Sequence, residues 1–155
     1  MTTYYSLFIN GEFKDSASRQ KIINPATGEV IAEVALAGKQ EVELALSSAR
    51  NSFDEGKWPT ISLEERKKFL LKISQGILDK AGELAKLETL NTGKPIKEST
   101  FMDIPSAAKT FEYAANNLEK YLKEENLSLE NADSQLLREP LGAVVLIVPW
   151  NYPLL

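Results

Sequence analysis

Neither cysteine nor histidine occurs anywhere in the chain. Their absence removes disulfide bridges and thiolate zinc sites. It also removes Ser-His-Asp and Cys-His nucleophile systems and imidazole acid–base catalysis. Chemistry carried by these 155 residues alone therefore rests on carboxylates, Lys, Tyr or Ser. Basic charge is short as well. The 18 Lys and Arg face 22 Asp and Glu, a net charge of −4 that offers no footprint for nucleic acid. Long apolar runs are missing too, since no stretch approaches the ~20 residues of a membrane span. The N-terminal "MTTYYSLFING" has neither the basic region nor the apolar core of a secretory signal. The expectation from these absences is a cytoplasmic protein with no nucleic-acid and no membrane partner.

What is present suits a globular α/β chain, 43% hydrophobic and 26% charged. "YYSLFINGEFK" holds two strand-like runs around Asn10-Gly11, a strong hairpin signal. "INPATGEVIAEVAL" repeats the theme, with turns at Asn24-Pro25 and Thr27-Gly28 and with Val30, Ala32 and Val34 alternating on one face. The first 38 residues thus read as a small antiparallel sheet.

From residue 39 the period becomes helical. Val42, Ala45, Leu46 and Ala49 share a face that Phe53 extends, until "GKWP" interrupts it. Ser62 then opens a capping box with Glu65, followed by a stripe of Phe69, Leu70, Ile73 and Ile77. A further helical stretch carries Leu84, Leu87 and Leu90 and stops at "NTGKP", where Gly93 fits a left-handed C-terminal residue. The next helix spans about 103–122, with Ile104, Ala108, Phe111, Ala115, Leu118 and Leu122 as its seam, suited to core packing or to a coiled-coil partner. Pro105 fits only near the start of that helix. "KEENLSLENADSQ" alternates polar residues like an exposed ribbon or loop.

Gly142–Val148 has no polar face, as expected of a strand buried on both sides of a parallel sheet. Such a strand needs neighbours joined by long crossovers. The 155 residues supply none after it, and the helices before it could cover one face only. The chain is therefore expected to be a truncated piece of a larger fold.

Five segments, in order, resemble the N-terminal part of an aldehyde dehydrogenase: "FINGEF", "NPATGEVIAEV", "LAKLETLNTGKP", "REPLGAV" and "PWNYPLL". The resemblance covers essentially the whole chain. It implies the beginning of a doubly wound nucleotide-binding domain, with short β hairpins, a helical layer, a ribbon strand and the first strand of the sheet at 142–148. Residues 125–139 would form part of the subunit-bridging β-ribbon, and the catalytic domain is absent. The implied reaction oxidises an aldehyde to a carboxylic acid with NAD or NADP as hydride acceptor, in a homo-oligomer, dimer or tetramer. "FEYAANNLEKY" is additionally similar to betaine- and aminoaldehyde-oxidising members.

The resemblance also assigns residues. Asn151 matches the Asn whose amide donates to the oxyanion. Ile147, Pro149, Trp150 and Asn151 match positions that meet the dinucleotide where the strand ends, in keeping with ligand binding beyond the C-terminal ends of α/β strands. Some members hold a structural K+ or Na+, whose ligands would map to the carbonyls of Ile22 and Ile23 and the carboxylate of Asp103. Local sequence offers other readings: Asp103 as a helix cap, Asn151 as a turn residue bonding its own backbone, and Trp58 and Trp150 as packing. The nucleophilic Cys, the general-base Glu and the ribose-binding Lys have no counterpart here, so this chain alone is expected to be inactive. The alternative is a stand-alone, non-catalytic interaction module that pairs with a partner through its C-terminal strand.

Overall fold

A computed structural model describes residues 3–129 and 132–155. The N-terminal region holds five short strands: β1 (Thr3–Tyr5), β2 (Leu7–Ile9), β3 (Glu12–Lys14), β4 (Ser18–Ile23) and β5 (Val30–Leu36). Strands β2 and β3 form the hairpin expected at Asn10-Gly11. Both loop residues take positive φ, 55° and 78°, which matches the twist of the flanking strands. Phe8 and Phe13 face each other across it, ring centroids 5.1 Å apart.

The other three strands depart from the expected antiparallel arrangement. Their order is β1-β5-β4, with β4 antiparallel to β5 but β1 parallel to it. The hairpin and β4 lie between β1 and β5, a connection long enough to bring the chain back in the same direction. Asn24 closes the β4–β5 turn. Its side-chain oxygen accepts from the Ala26 N–H at 2.9 Å and its carbonyl from the Gly28 N–H at 2.8 Å.

The helical layer comprises α1 (Lys39–Asp54), α2 (Leu63–Asp79), α3 (Ala81–Thr92), the short α4 (Ile96–Glu98) and α5 (Ile104–Leu122). Ser62 caps α2 as expected: its hydroxyl accepts from the Glu65 N–H, and the Glu65 carboxylate accepts in return from the Ser62 N–H. The core joins Ile77 of α2, Ala85 of α3, and Ile104 and Ala108 of α5, with Leu84 and Phe111 at its edge.

Two expected stripes fall differently. On α2 the inward face carries Ser74 and Ile77, while Phe69 and Ile73 stay exposed. On α3 the buried residues are Ala85 and Glu88, and Leu87 turns instead toward a surface groove. Small Ala side chains let α3 approach its neighbours, and an acid, Glu88, is buried where the adjacent Leu87 is not.

Between α4 and α5 the backbone widens into a single π-turn, Ser99–Asp103, in which the Ile104 N–H bonds to the Ser99 carbonyl five residues back. Ser99 and Asp103 are both buried there. Beyond α5, β6 (Glu125–Leu129) and β7 (Ala132–Leu136) pair antiparallel, so the region expected to give one ribbon strand gives two. Polar alternation identifies a ribbon but does not mark where the chain reverses.

Gly142–Val148 is not a strand in this structure. Val144–Val148 are all exposed. The reason is hydrogen bonding: among the described residues the sheets are β1-β5-β4, β2-β3 and β6-β7, and none lies alongside this segment to pair its N–H and C=O groups. The buried parallel strand of the sequence reading is thus corrected to a segment without strand pairing, exposed from Ala143 onward. No helix among the described residues is long and apolar enough to cross a membrane.

Candidate functional site

The C-terminal segment runs over the surface of the helical layer. Ala143, Val144 and Val145 border a groove formed by Leu7 and Phe8 of the hairpin and by Val42, Ala45 and Ala49 of α1. The groove is open, so the apolar stripe of α1 stays exposed along it and no residue of α1 is buried. At the far end, Pro153 and Leu154 line a second groove with Leu84, Leu87 and Ile104. Between them stand the predicted site residues. Ile147 is 94% exposed and Trp150 80% exposed, with Pro149 and Asn151 also open to solvent. The Asn151 side chain makes no hydrogen bond with its own backbone among the described residues.

The residue after Asn151 is anchored. The Tyr152 ring lies over the Lys94 ammonium, Nζ to centroid 4.1 Å. Lys94 in turn is clamped by two acids, with Nζ 2.6 Å from Asp103 Oδ2 and 3.0 Å from Glu88 Oε1. Glu88 and Asp103 are 5% and 4% exposed. The local sequence builds this clamp. Gly93 ends α3 in the left-handed conformation at φ 77°, its N–H bonded to the Thr89 carbonyl at 2.9 Å, and so reverses the chain to bring Lys94 back beside Glu88. The π-turn carries Asp103 to the opposite side, steadied by a 3.0 Å hydrogen bond between Ser99 Oγ and Thr89 Oγ1.

Electrostatics follows from burial. Loss of water raises the Glu88 carboxyl above its ordinary range, the Lys94 ammonium works against that, and the nearby Asp103 carboxylate adds to it. For Lys94, burial alone would lower the value, but the hydrogen bonds to Asp103 and Glu88 outweigh it and hold the ammonium above the ordinary lysine range. Lys94 is therefore a half-buried ammonium held between two buried acids.

Asp103 consequently does not cap α5, since its side chain makes no capping bond. One carboxylate oxygen is taken by the Lys94 ammonium. The Ile22 and Ile23 carbonyls lie at the end of β4, where a bulge interrupts the pairing with β5. The loop that follows packs on the clamp: a Cβ at Gly93 would stand 2.7 Å from Pro25 Cγ. Among the described residues, no group of three or more Asp or Glu side chains could hold a metal ion. Glu88 and Lys94 escaped the sequence reading. The signal for them was an acid on the core face of α3, in register with Ala81 and Ala85, beside a Lys released by a glycine cap.

The model of the aldehyde dehydrogenase family matches residues 13–155. The chain belongs to the aldehyde dehydrogenase family. Aldehyde dehydrogenase 1 of Tanacetum cinerariifolium is 41% identical over 152 residues, 97% of this chain and 30% of that protein. The solved structure of the aldehyde dehydrogenase KauB from Pseudomonas aeruginosa matches 99% of this chain and 32% of its own, with a TM-score of 0.91 and 35% identity. A betaine aldehyde dehydrogenase variant from Staphylococcus aureus, solved in complex with NAD+, matches 96% of this chain and 30% of its own, at TM-score 0.86 and 36% identity. The chain thus spans about a third of the length of the relatives it matches.

A dinucleotide needs walls, and these residues do not form them alone. Ile147, Pro149 and Trp150 project from an exposed segment with no sheet beside it. The grooves described above are lined by other residues. The chain by itself does not fit the cofactor.

Proposed function

We propose that these residues serve as the N-terminal part of an NAD(P)-dependent aldehyde dehydrogenase, inactive as the 155-residue chain and competent when the matching remainder of the fold is present. The observation that carries this reading is the family match over residues 13–155, which runs through "PWNYPLL" to the last residue. In that setting the Asn151 amide donates to the oxygen that becomes an alkoxide when a nucleophile adds to the aldehyde. An amide does this without titrating, and the lack of a self-bond leaves its N–H groups available. Ile147, Pro149 and Trp150 would border the dinucleotide once 142–148 acquires strand neighbours. The substrate class proposed is an aldehyde of the betaine or aminoaldehyde type, and β6–β7 would serve as the ribbon that bridges subunits.

The test is a hybrid in which this chain replaces the matching N-terminal third of the Staphylococcus aureus enzyme. Aldehyde-dependent NADH formation is expected from the hybrid and none from the chain alone. In the hybrid, Asn151→Ala should lower kcat by roughly 10²–10³ and leave cofactor affinity nearly unchanged. A normal kcat with a lowered melting midpoint would reduce Asn151 to a turn residue.

A second reading rests on the exposed apolar run Val144–Val148. Such a run could pair with another protein's strand. Genomic sequence past codon 155 separates the two readings: in-frame family sequence favours the enzyme, a native stop the pairing module.

A further inference from the structure

We propose that Lys94 is a positioning residue: clamped between Glu88 and Asp103, its ammonium holds the face of Tyr152 and thereby fixes the turn that presents Asn151. The inference rests on the assignment of Asn151 above and adds to it the device that places its amide.

An ammonium has three N–H groups. Two of them are engaged, at 2.6 Å by Asp103 and at 3.0 Å by Glu88. The third is left for the ring of Tyr152, whose centroid is 4.1 Å from Nζ. The ring face is electronegative and attracts a cation placed over it. The hydrogen bonds to the two acids hold the ammonium in place. Its position is set by three elements of the helical layer: the end of α3, the glycine reversal and the π-turn.

The second link is along the chain. Tyr152 is bonded directly to Asn151, and prolines at 149 and 153 restrict the backbone on either side. Just beyond, Leu154 lines a groove with Leu84 and Leu87. The large side chains upstream, Val144 to Trp150, are 61–94% exposed, whereas Tyr152 and Leu154 are 39% and 36% exposed, so the stronger hold on the Asn151 turn comes from the Tyr152 side. The Tyr152 hydroxyl makes no hydrogen bond among the described residues, so the ring face carries the contact.

This separates two variants that a mere packing role would not. Tyr152→Phe keeps the ring and is expected to be silent; Tyr152→Leu keeps bulk but loses the ring. The Glu88–Lys94–Asp103 clamp is untouched in both, so folding is not at stake. In nuclear magnetic resonance spectra of the 155-residue chain, the Lys94 ε-methylene protons should lie upfield of those of other lysines. They should stay there in Tyr152→Phe and return to ordinary positions in Tyr152→Leu. The Asn151 side-chain amide and Trp150 indole signals should follow the same pattern. In the hybrid enzyme, Tyr152→Leu should lower kcat about threefold to tenfold with little change in KM for the cofactor, and Tyr152→Phe should restore it.

Asn151 and Trp150 signals unmoved in Tyr152→Leu, or moved as far in Tyr152→Phe, would overturn the proposal. So would an undiminished kcat in Tyr152→Leu. Failure of the oxyanion assignment would look different: Asn151→Ala would turn over normally while the spectral pattern of the Tyr152 variants persisted.

Discussion

Ile104 and Ile147 are the same side chain in two regions, and the chain treats them oppositely. Ile104 opens α5 at 0% exposure, surrounded by Ile77, Ala85 and Ala108. Ile147 sits in the most apolar run of the sequence and is 94% exposed. Hydrophobicity does not distinguish them. What differs is the backbone. A helix satisfies its own N–H and C=O groups and then needs only side chains to bury against, which α2 and α3 supply. An extended segment needs another strand before burial costs nothing in lost hydrogen bonds, and none lies beside 142–148.

The largest effect is expected at Ile104. Ile104→Ala should destabilise the chain by about 2–5 kcal/mol, through lost transfer free energy and the cavity left among Ile77, Ala85 and Ala108. The cavity also lies next to Asp103, so little local collapse can occur without disturbing the clamp. Urea titration followed by circular dichroism reads this directly as a lowered midpoint at unchanged slope. A loss under about 0.5 kcal/mol would mean that the helical layer is not the stable part of the chain.

How far the sequence disclosed this structure depends on which partner each signal needs. The hairpin at Asn10-Gly11, the Ser62–Glu65 capping box and the Gly93 stop were all legible, because each is settled within a few residues. Helix existence was legible from the 3.6-residue period, and α5 begins at Ile104 beside its Pro105, as expected. The inward faces of α2 and α3 were read less well. Periodicity favours Leu and Phe, whereas close helix approach selected Ser74, Ala85 and Glu88. The parallel pairing of β1 with β5 was not readable from alternation, which is blind to strand direction. At the site, "PWNYPLL" named Asn151, but nothing local tied Tyr152 to Lys94, which lies 58 positions earlier. That contact exists because a glycine cap and a π-turn aim Lys94 outward from two acids.

A smaller effect is expected at the α2 cap, exposed but locally satisfied. Ser62→Ala removes the hydroxyl that accepts from the Glu65 N–H and should cost about 1 kcal/mol. Its pH dependence has a definite sign. Hydrogen bonds from the Ser62 hydroxyl and then its backbone N–H hold the Glu65 carboxyl below its ordinary value of 4.5. A carboxyl depressed in the folded state contributes stability above that ordinary value and loses it as pH falls through the folded value. The difference in melting midpoint between the wild-type chain and Ser62→Ala should therefore be full at neutral pH and shrink below about pH 4.5. A difference that stays unchanged on acidification would show that the carboxylate plays no part in the cap.

The smallest effect is expected at Ile147, and it returns to the contrast with Ile104. A side chain this exposed has almost no apolar area left to lose, and the segment's backbone has no ladder to disrupt. Ile147→Ala should therefore change stability by less than about 0.5 kcal/mol, within the range of ordinary surface substitutions. The same substitution in the hybrid enzyme, where 142–148 would gain strand neighbours and covering helices, should cost about 2–5 kcal/mol, as for a core isoleucine. Each protein serves as the other's control, because residue, segment and substitution are identical and only the neighbours change. Concentration dependence adds the remaining distinction. If copies of the chain pair through Val144–Val148, the loss on Ile147→Ala would rise with protein concentration, and light scattering would show species larger than a monomer. A concentration-independent loss as large as that of Ile104→Ala would instead mean that the segment is buried within a single chain, against the arrangement described here.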